Sequence, residues 1–475
     1  MATIVPREYI SDDVLRQLIF KPKTTYQGNK YKNQWWRKKE EEKEDEKEET
    51  QTINFFYLRE KEKEVVLPYA FASQVLQRKV NSNIQYPEIK YNFTKTLYEV
   101  QKDVAEEALN YLQIKGTVIL NLYTAFGKTV VGAFLGATLG KLTLVLFTSV
   151  VLIEQWRNTF KEFTDGVVWV VGEEPPPFAH IILCMNGRFG DLPKEYLKSI
   201  GTVIIDEAHD FCTPSRVECL LGTIPSYVIA MTATLERKNG MHSMIHAMCG
   251  MEVIKKISKK PFNVFKYNTG ITVDIKLNRI GDPDWSALQR SIAESEERNN
   301  MALELVKLNT NYKILILTWR REHVNYMVTK LQERGETVDF MCGNKKSYSD
   351  SRILVGTIKK IGTAFDEKTA CDNFNGFRLN MLILLGSMKS IALLEQVAGR
   401  VFRAEFPQII HFVDDMKISE NHWNEGQRWY KSRNGCIHNY DSPFLTKKRQ
   451  EEASKPTSPV QAQLAYLNSQ NQQNK

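Results

Sequence analysis

Three consecutive residues of types that suit phosphate binding, Gly127, Lys128 and Thr129, follow the apolar run 118–123. They also open an apolar helical pattern. Backbone N–H groups at a helix N-terminus, a lysine that reaches phosphates and a hydroxyl for Mg²⁺ are the groups that hold a nucleoside triphosphate. The match is incomplete, because Leu122 stands where the usual phosphate-loop pattern has glycine. A chance GKT in an ordinary strand-to-helix turn therefore remains an alternative.

A second motif, DEAH, follows another apolar run and supplies two acids, Asp206 and Glu207. A carboxylate at the end of a strand can hold Mg²⁺, and its neighbour can orient and deprotonate an attacking water. An isolated DEAH tetrapeptide is also compatible with a solvated helix start. The order of the two motifs, each after an apolar strand-like run, favours a nucleotide site.

Two series of short apolar runs, each followed by a helical pattern, must position these residues. Such runs are typical of strands that are buried on both faces of a parallel sheet. We therefore predict an α/β fold with two consecutive α/β domains, each a doubly wound parallel sheet. The predicted strands are 118–123, 142–147, 180–185 and 202–206 in the first series, and 313–318, 352–357, 379–386 and 409–414 in the second.

The composition is globular, since 42% of the 475 residues are hydrophobic and 25% are charged, which excludes a wholly disordered or collagenous chain. The formal net charge of +8 suits a polyanionic partner such as nucleic acid. The seven cysteines form no CxxC or Cys/His cluster, which favours a reducing compartment and no structural zinc. No signal peptide or membrane span is indicated, so we expect an intracellular protein without a membrane partner.

The expected organisation has four parts. Residues 1–90 form a small N-terminal accessory region, in which the all-charged segment 37–49 is a solvated linker or exposed helix, or alternatively an acidic interaction segment. Residues 91–258 form the first α/β domain and residues 259–445 the second. The polar segment 446–475 is expected to be disordered.

Over about residues 95–405 the chain resembles superfamily 2 helicases and translocases, because eight motifs occur in the family's order. They are LYEVQ ending at Gln101 (the Q-type motif), TAFGKT at 124–129 (motif I), TSVVLIEQW at 148–156 (Ia), DEAH at 206–209 (II), MTATLERKNG at 231–240 (III), LILTWRREHV at 315–324 (IV), VGTIKKIGTAFD at 355–366 (V) and QVAGRVFR at 396–403 (VI). A narrower likeness is to helicases of large nucleocytoplasmic DNA viruses, such as the poxvirus transcript-release helicase. It rests on segments 66–73, 235–241 and 429–435, and phage branch-processing helicases share some of it.

The resemblance implies two tandem RecA-like domains, with ATP and Mg²⁺ as cofactors and nucleic acid, DNA more than RNA, as partner. The viral likeness adds the transcription machinery as a possible partner, and the host cytoplasm or the virion as the location. The catalytic set implied by the motifs is Lys128, Asp206, Glu207, His209, Gln396, Arg400 and Arg403, with both arginines as fingers that come from the second domain and with Thr129 and Asp206 as metal ligands. The implied nucleotide-binding set is Gln101, Thr124, Ala125, Phe126, Gly127, Lys128, Thr129, Gly362 and Asp366. Thr148, Ser149 and Thr357 are expected to contact nucleic-acid phosphates, and stacking or charge from 319–321 is a further option beside a solvated helix start.

The sequence departs from the family pattern at Ala125 and Ala364, where glycine is frequent, and at Leu235, where proline is frequent. The two alanines should be tolerated if their φ angles are negative. Two other functions stay open at this point. One is a duplex translocase or remodeller that does not separate strands, and the other is a nucleotide-binding scaffold without catalysis.

Overall fold

The computed structural model describes residues 1–21, 52–232, 235, 240–258, 260–273, 275–277, 283–362 and 365–453. The chain divides into two compact units, Met1–Ile257 and Ser258–Lys475. The charged segment 37–49 lies outside the described residues, as do residue 364 and the polar residues 454–475.

The N-terminal residues build a small antiparallel sheet. Their elements are β1 (Ala2–Pro6), α1 (Asp12–Arg16), β2 (Ile19–Phe20), β3 (Ile53–Asn54), β4 (Tyr57–Arg59), β5 (Glu64–Pro68) and α2 (Tyr69–Val75). The strand order is β1-β5-β4, and Ala2 lies opposite Pro68. Tyr69 donates a hydrogen bond to the carbonyl of Ser226 at 3.0 Å. The apolar side chains of this region therefore belong to the same buried cluster as the sheet that follows.

The first unit then forms a parallel sheet flanked by helices. The elements are α3 (Glu99–Lys115), β6 (Thr117–Leu122), α4 (Lys128–Leu139), β7 (Leu142–Phe147), α5 (Val151–Phe163), β8 (Val168–Val170), β9 (Ile181–Met185), α6 (Lys194–Ser199), β10 (Ile200–Asp206), α7 (Val217–Leu221), β11 (Tyr227–Thr232), α8 (Ser243–Cys249) and β12 (Val253–Lys256). The strand order is β12-β6-β11-β10-β7-β9-β8. All four predicted strands of the first series are confirmed as β6, β7, β9 and β10. The central strand β11 is an addition, and it separates β6 from β10.

The second unit repeats this architecture. Its elements are β13 (Phe262–Asn268), α9 (Trp285–Glu294), α10 (Glu296–Leu308), β14 (Ile314–Thr318), α11 (Arg321–Glu333), β15 (Val338–Met341), β16 (Ile353–Thr357), α12 (Ile358–Gly362), α13 (Glu367–Ala370), β17 (Met381–Leu384), α14 (Ile391–Ala398), β18 (Gln408–Val413), α15 (Lys417–Ser432), β19 (Gly435–Asp441) and α16 (Pro443–Ala453). The parallel strands run in the order β15-β16-β14-β17-β18-β13-β19. The predicted strands of the second series are confirmed as β14, β16, β17 and β18.

Successive residues of the second sheet feed two separate cores. Along β14, Leu315 and Leu317 point into one buried cluster, whereas Ile314 and Ile316 point into another on the opposite face. Because both faces are covered, the strand must be apolar at every position. This explains why the predicted strands were continuous apolar runs. The expected fold class, two tandem doubly wound parallel sheets, is confirmed.

One expectation about the end of the chain is corrected. Helix α16 extends to Ala453, so residues 446–453 are helical, although their polar composition had predicted disorder. Polar residues suit this helix because most of its side chains up to Glu451 are exposed and need no apolar partner. None of the described helices is both long and apolar enough to cross a bilayer.

Candidate functional site

The loop between β6 and α4 is shaped by two residues in the left-handed region. Ala125 has φ of 73° and Gly127 has φ of 90°. Gly127 caps α4, and the N–H groups of Val130 and Val131 donate to its carbonyl at 3.0 and 3.1 Å. The turn brings Lys128 to the start of α4, where the positive end of the helix dipole favours an anion. The condition set for Ala125, a negative φ, is therefore not met, and the loop holds this alanine under strain.

Gln101 braces this loop from α3. Its Nε2 donates to the carbonyl of Phe126 at 2.9 Å, and its Oε1 accepts from the N–H of Tyr98 at 3.1 Å. The side chain is only 4% exposed. A Cβ on Gly127 would lie 2.5 Å from Nε2 of Gln101. The glycine is thus required both for its φ and for this close approach. Recognition of a nucleotide base by Gln101 stays a prediction.

The remaining residues of the loop also have defined places. Thr124 is half-buried and Ala125 is exposed, whereas Phe126 is buried against the ring of Tyr123, with centroids 5.3 Å apart. The N–H of Phe126 donates to the carbonyl of Tyr123 at 3.2 Å, which closes the turn. The loop that the GKT motif predicted is therefore a compact turn.

Asp206 and Glu207 stand at the carboxyl end of β10. Oδ2 of Asp206 accepts from the indole N–H of Trp156 at 2.9 Å, and its Oδ1 accepts from the N–H of Glu207 at 3.0 Å. Glu207 itself has φ of 49°, again in the left-handed region. Its Oε1 lies 3.5 Å from Nζ of Lys128. The structure thus brings together the GKT and DEAH motifs, although β11 lies between their strands.

Burial dominates the electrostatics of Asp206. Desolvation and the neighbouring carboxylate of Glu207 raise the pKa of Asp206 to about 6, although Lys128 and the Trp156 N–H lower it in part. Two carboxylates beside one lysine leave a negative site that favours an added cation. The donors are carboxylate and hydroxyl oxygens, which suit Mg²⁺. Within the described part of the chain there is no group of three His, Cys, Asp or Glu residues that could hold a metal alone. A cation here would draw further ligands from phosphate or water.

Thr129, the other predicted metal ligand, is buried at the first turn of α4. Its Oγ1 accepts a hydrogen bond from Nε2 of Gln155 at 2.9 Å. The Oγ1 retains lone-pair capacity toward a cation, because a hydroxyl can accept twice. The sequence did not single out Gln155 or Trp156 as contacts of the metal ligands. It indicated only that they lie in motif Ia, on a helix after β7.

His209 links the acids to the next strand. Its Nδ1 lies 2.9 Å from Oγ1 of Thr232 and 3.3 Å from Oε2 of Glu207. Thr232 is the last residue of β11, so the contact joins the DEAH motif to the start of motif III. Residues 233 and 234 of that motif lie outside the described residues. A coupling role for His209 stays a prediction.

Two predicted nucleic-acid contacts lie on the same edge of the first sheet. Thr148 and Ser149 directly follow β7 and are half-buried. The carbonyl of Ser149 accepts from the N–H of Leu152 at 3.1 Å, which ties the loop to the first turn of α5. Because strands of a parallel sheet end at one edge, this loop and the Lys128 loop lie on the same side of the unit.

The other predicted residues form a second group in the second unit. The guanidinium group of Arg400 donates to the carbonyls of Ile361 at 3.0 Å, Gly362 at 2.7 Å and Phe365 at 2.5 Å. Arg400 thereby holds motif V against motif VI. A Cβ on Gly362 would lie 4.0 Å from Oε1 of Gln396, so this glutamine is part of the same group.

Arg403 forms an ion pair with Asp366. Burial works to raise the pKa of Asp366, but Arg403, the N–H of Lys368 and Arg378 together hold it below its usual value. Asp366 also caps α13, because its Oδ1 accepts a hydrogen bond from the backbone N–H of Lys368 at 2.8 Å. Thr357, the last residue of β16, is also buried. The structure assigns it no role, and its contact with nucleic acid stays a prediction.

Stacking by Trp319 on a nucleic-acid base, one of two options from the sequence, is not favoured by its surroundings. Its indole N–H donates to the carbonyl of Ser387 at 3.0 Å, and the ring packs against the core of the second unit. A Cβ on Gly386 would lie 2.6 Å from the ring. The ring of Trp319 therefore packs within the second unit.

Comparison with known proteins gives the family context. The family model described as "Type III restriction enzyme, res subunit" matches residues 94–237. The protein named "Putative helicase 161L" of Invertebrate iridescent virus 6 is 27% identical over 391 residues, which cover 75% of this chain and 85% of that protein. "Transcript termination protein A18" of Myxoma virus (strain Lausanne) is 20% identical over 338 residues, covering 65% and 70% of the two chains.

The resemblance to superfamily 2 helicases is therefore confirmed. The solved structure "S. cerevisiae Dbp5 bound to RNA and ADP BeF3" aligns with a TM-score of 0.51 and 15% identity, over 73% of this chain and 91% of that one. At this identity the likeness concerns the fold, and it identifies the two parallel sheets as tandem RecA-like domains. Relatives of this kind support a helicase or translocase function.

Proposed function

We propose that this protein is a nucleic-acid-dependent ATPase that couples ATP hydrolysis to movement along a strand. The observation that carries the proposal is the assembly of Lys128, Thr129, Asp206 and Glu207 at one edge of the first sheet, with Lys128 only 3.5 Å from Glu207. A lysine, a hydroxyl and two acids are the groups that nucleoside triphosphate hydrolysis requires. The solved Dbp5 complex, a fold neighbour, carries ADP BeF3 and RNA.

Each residue has a distinct part in this proposal. Lys128 moves from Glu207 to the phosphates and neutralises their charge. Thr129 and Asp206 would hold Mg²⁺, which when bound neutralises charge that develops on the phosphate oxygens. Glu207 then orients a water and accepts its proton, and its Oε2 lies 3.3 Å from Nδ1 of His209.

Of the two predicted arginine fingers, Arg403 is the stronger candidate in this proposal. Three nitrogens of Arg400 already donate to backbone carbonyls, so moving this side chain would leave buried acceptors unpaired. Arg403 pairs with one partly exposed carboxylate, Asp366. We assign Arg400 to the stability of motif V and Arg403 to charge stabilisation of the reaction.

The viral relatives extend the proposal to a biological setting. One of them is named a transcript termination protein, and we propose a role in viral transcription, in the host cytoplasm or the virion. The partners would then be nucleic acid, DNA more than RNA, and the transcription machinery. The basic composition supports a polyanionic partner.

The test is ATP turnover with single-stranded DNA, duplex DNA and RNA supplied separately, beside a strand-displacement assay. The expected result is turnover that rises with one of these nucleic acids and disappears in Glu207→Gln. Turnover stimulated by duplex DNA without strand displacement would instead establish a duplex translocase. Equal turnover with and without nucleic acid would contradict the proposal, and so would nucleotide binding without any turnover.

A further inference from the structure

Two adjacent residues of α5 reach the two oxygen ligands of the proposed Mg²⁺ site. Gln155 donates from Nε2 to Oγ1 of Thr129 at 2.9 Å. Trp156 donates from Nε1 to Oδ2 of Asp206 at 2.9 Å. Thr129 begins α4 and Asp206 ends β10. One turn of one helix thus holds both loops of the site through neutral N–H donors.

The indole of Trp156 has a fitted place between α4 and the end of β10. The side chain is fully buried, and its ring stacks on Phe160 with centroids 5.6 Å apart. On the α4 side it faces Gly132, where a Cβ would lie 2.8 Å from Cη2 of the indole. Any larger residue at 132 would therefore force the indole to shift from its place beside Asp206.

We propose that Gln155 and Trp156 are positioning residues that orient the Thr129 hydroxyl and the Asp206 carboxylate toward Mg²⁺, an inference that rests on the proposed ATP hydrolysis. Each donor occupies one lone-pair direction of its oxygen and leaves the others for the cation. Because both donors are neutral, they orient the oxygens and leave most of the negative charge in place. Such outer partners fix the geometry of metal ligands.

The test uses variants that remove the N–H group and keep the volume. Trp156→Phe retains an aromatic ring, and Gln155→Met retains the chain length. The half-saturating Mg²⁺ concentration for ATP turnover is measured, together with fluorescence binding of a non-hydrolysable ATP analogue in Mg²⁺ and in EDTA. We expect the half-saturating Mg²⁺ concentration to rise about 10- to 100-fold in each variant. Analogue binding should weaken in Mg²⁺ and stay unchanged in EDTA.

The second unit offers a matched control. The indole of Trp429 donates to Oε2 of the buried carboxylate of Glu395 at 3.2 Å, far from any predicted metal ligand in the sequence. Trp429→Phe removes the same kind of hydrogen bond and should leave the Mg²⁺ dependence of the wild type. Gly132→Ala leaves Trp156 unchanged in sequence but displaces its ring, and it should reproduce the effect of Trp156→Phe. It provides a second route if Trp156→Phe fails to fold.

The outcomes separate the inference from the function on which it rests. A wild-type protein with Mg²⁺-dependent turnover, and Trp156→Phe and Gln155→Met variants with the same Mg²⁺ requirement, would overturn the positioning role alone. Equal loss of analogue binding in Mg²⁺ and in EDTA would overturn it too, because it would indicate general damage to the site. A wild-type protein that neither binds nor hydrolyses ATP would overturn both proposals.

Discussion

Replacing Gly127 with alanine should damage the phosphate loop in two separable ways. An L side chain at φ of 90° costs about 1–2 kcal/mol. The new Cβ would also lie 2.5 Å from Nε2 of Gln101 and displace that side chain. Displacement breaks the hydrogen bonds of Gln101 with Phe126 and Tyr98, each with a net value of about 1 kcal/mol. The free energy of unfolding of the first unit should therefore fall by about 3–4 kcal/mol, the sum of these estimates.

The variant Gln101→Ala separates the two contributions. Alone it should cost about 2 kcal/mol, the value of its two hydrogen bonds. In the double variant those bonds are lost only once, so the total should stay near that of Gly127→Ala, about 3–4 kcal/mol, with a coupling energy of about 2 kcal/mol. The two single costs would otherwise add to about 5–6 kcal/mol.

Native-state hydrogen exchange of peptides from the first unit, measured at increasing urea, gives these free energies without mixing the two units. Gly190→Ala is the matched control, because a Cβ there meets no atom within 4 Å, and its cost should be small. Additive costs in the double variant would refute the proposed contact between Gln101 and the loop. An unchanged stability in Gly127→Ala would refute the left-handed loop itself.

Four further predictions can be checked separately. Ala125→Gly should raise the free energy of unfolding by about 0.5–1 kcal/mol, because relief of left-handed strain exceeds the added freedom of glycine when unfolded; a lowered urea midpoint would contradict this. Arg403→Ala should lower ATP turnover about 10³-fold with little change in nucleotide affinity, whereas Arg400→Ala should chiefly lower the melting temperature of the protein; equal turnover losses would contradict the different assignments. Burial lowers the pKa of His323 and His411 to about 3, helped by Arg298 at both and by His422 and Lys266 at His411. In the unfolded chain both histidines bind a proton near pH 6.5, so the free energy of unfolding should be highest above that pH and fall as the pH drops toward 3. The two histidines together should lower it by about 4 kcal/mol between pH 7 and 5. A urea midpoint that does not change with acid would contradict this. Nucleic-acid affinity should fall steeply with added salt, and a titration series at rising salt that shows no slope would rule out backbone tracking.

The predictable part of the fold is the part in which every residue of a strand is buried. β7, with the sequence LTLVLF, is buried throughout, and its apolar run was sufficient to locate it. β13, by contrast, is absent from the predicted strands. Its sequence FNVFKYN mixes buried and half-buried positions, and it lies next to the largely exposed edge strand β19. A strand with polar residues at half-buried positions lacks the continuous apolar signal.

The candidate site shows a different limit. Lys128, Asp206 and Glu207 were predicted because local motifs mark them, and their proximity followed from the rule that parallel strands end at one edge. The contact of Trp156 with Asp206 joins residues 50 positions apart in the chain, and no local pattern encodes it. The positive φ of Ala125 and Glu207 was equally hidden, since a side-chain type other than glycine gives little indication of a left-handed backbone.

Helix α5 connects features that the sequence treats as separate motifs. It begins two residues after Ser149, one of the two predicted nucleic-acid contacts of this loop, and its first turn is tied to the loop through Leu152. One turn later it carries Gln155 and Trp156, whose N–H groups hold both proposed metal ligands. A bound nucleic-acid strand that shifts the loop would shift these two N–H donors with it, because a helix moves as a rigid body. Coupling between two binding sites is reciprocal. If binding of nucleic acid raises the affinity for Mg²⁺ and nucleotide by some factor, binding of Mg²⁺ and nucleotide must raise the affinity for nucleic acid by the same factor. Strand affinity in the Trp156→Phe variant should therefore depend less on nucleotide than it does in the wild type.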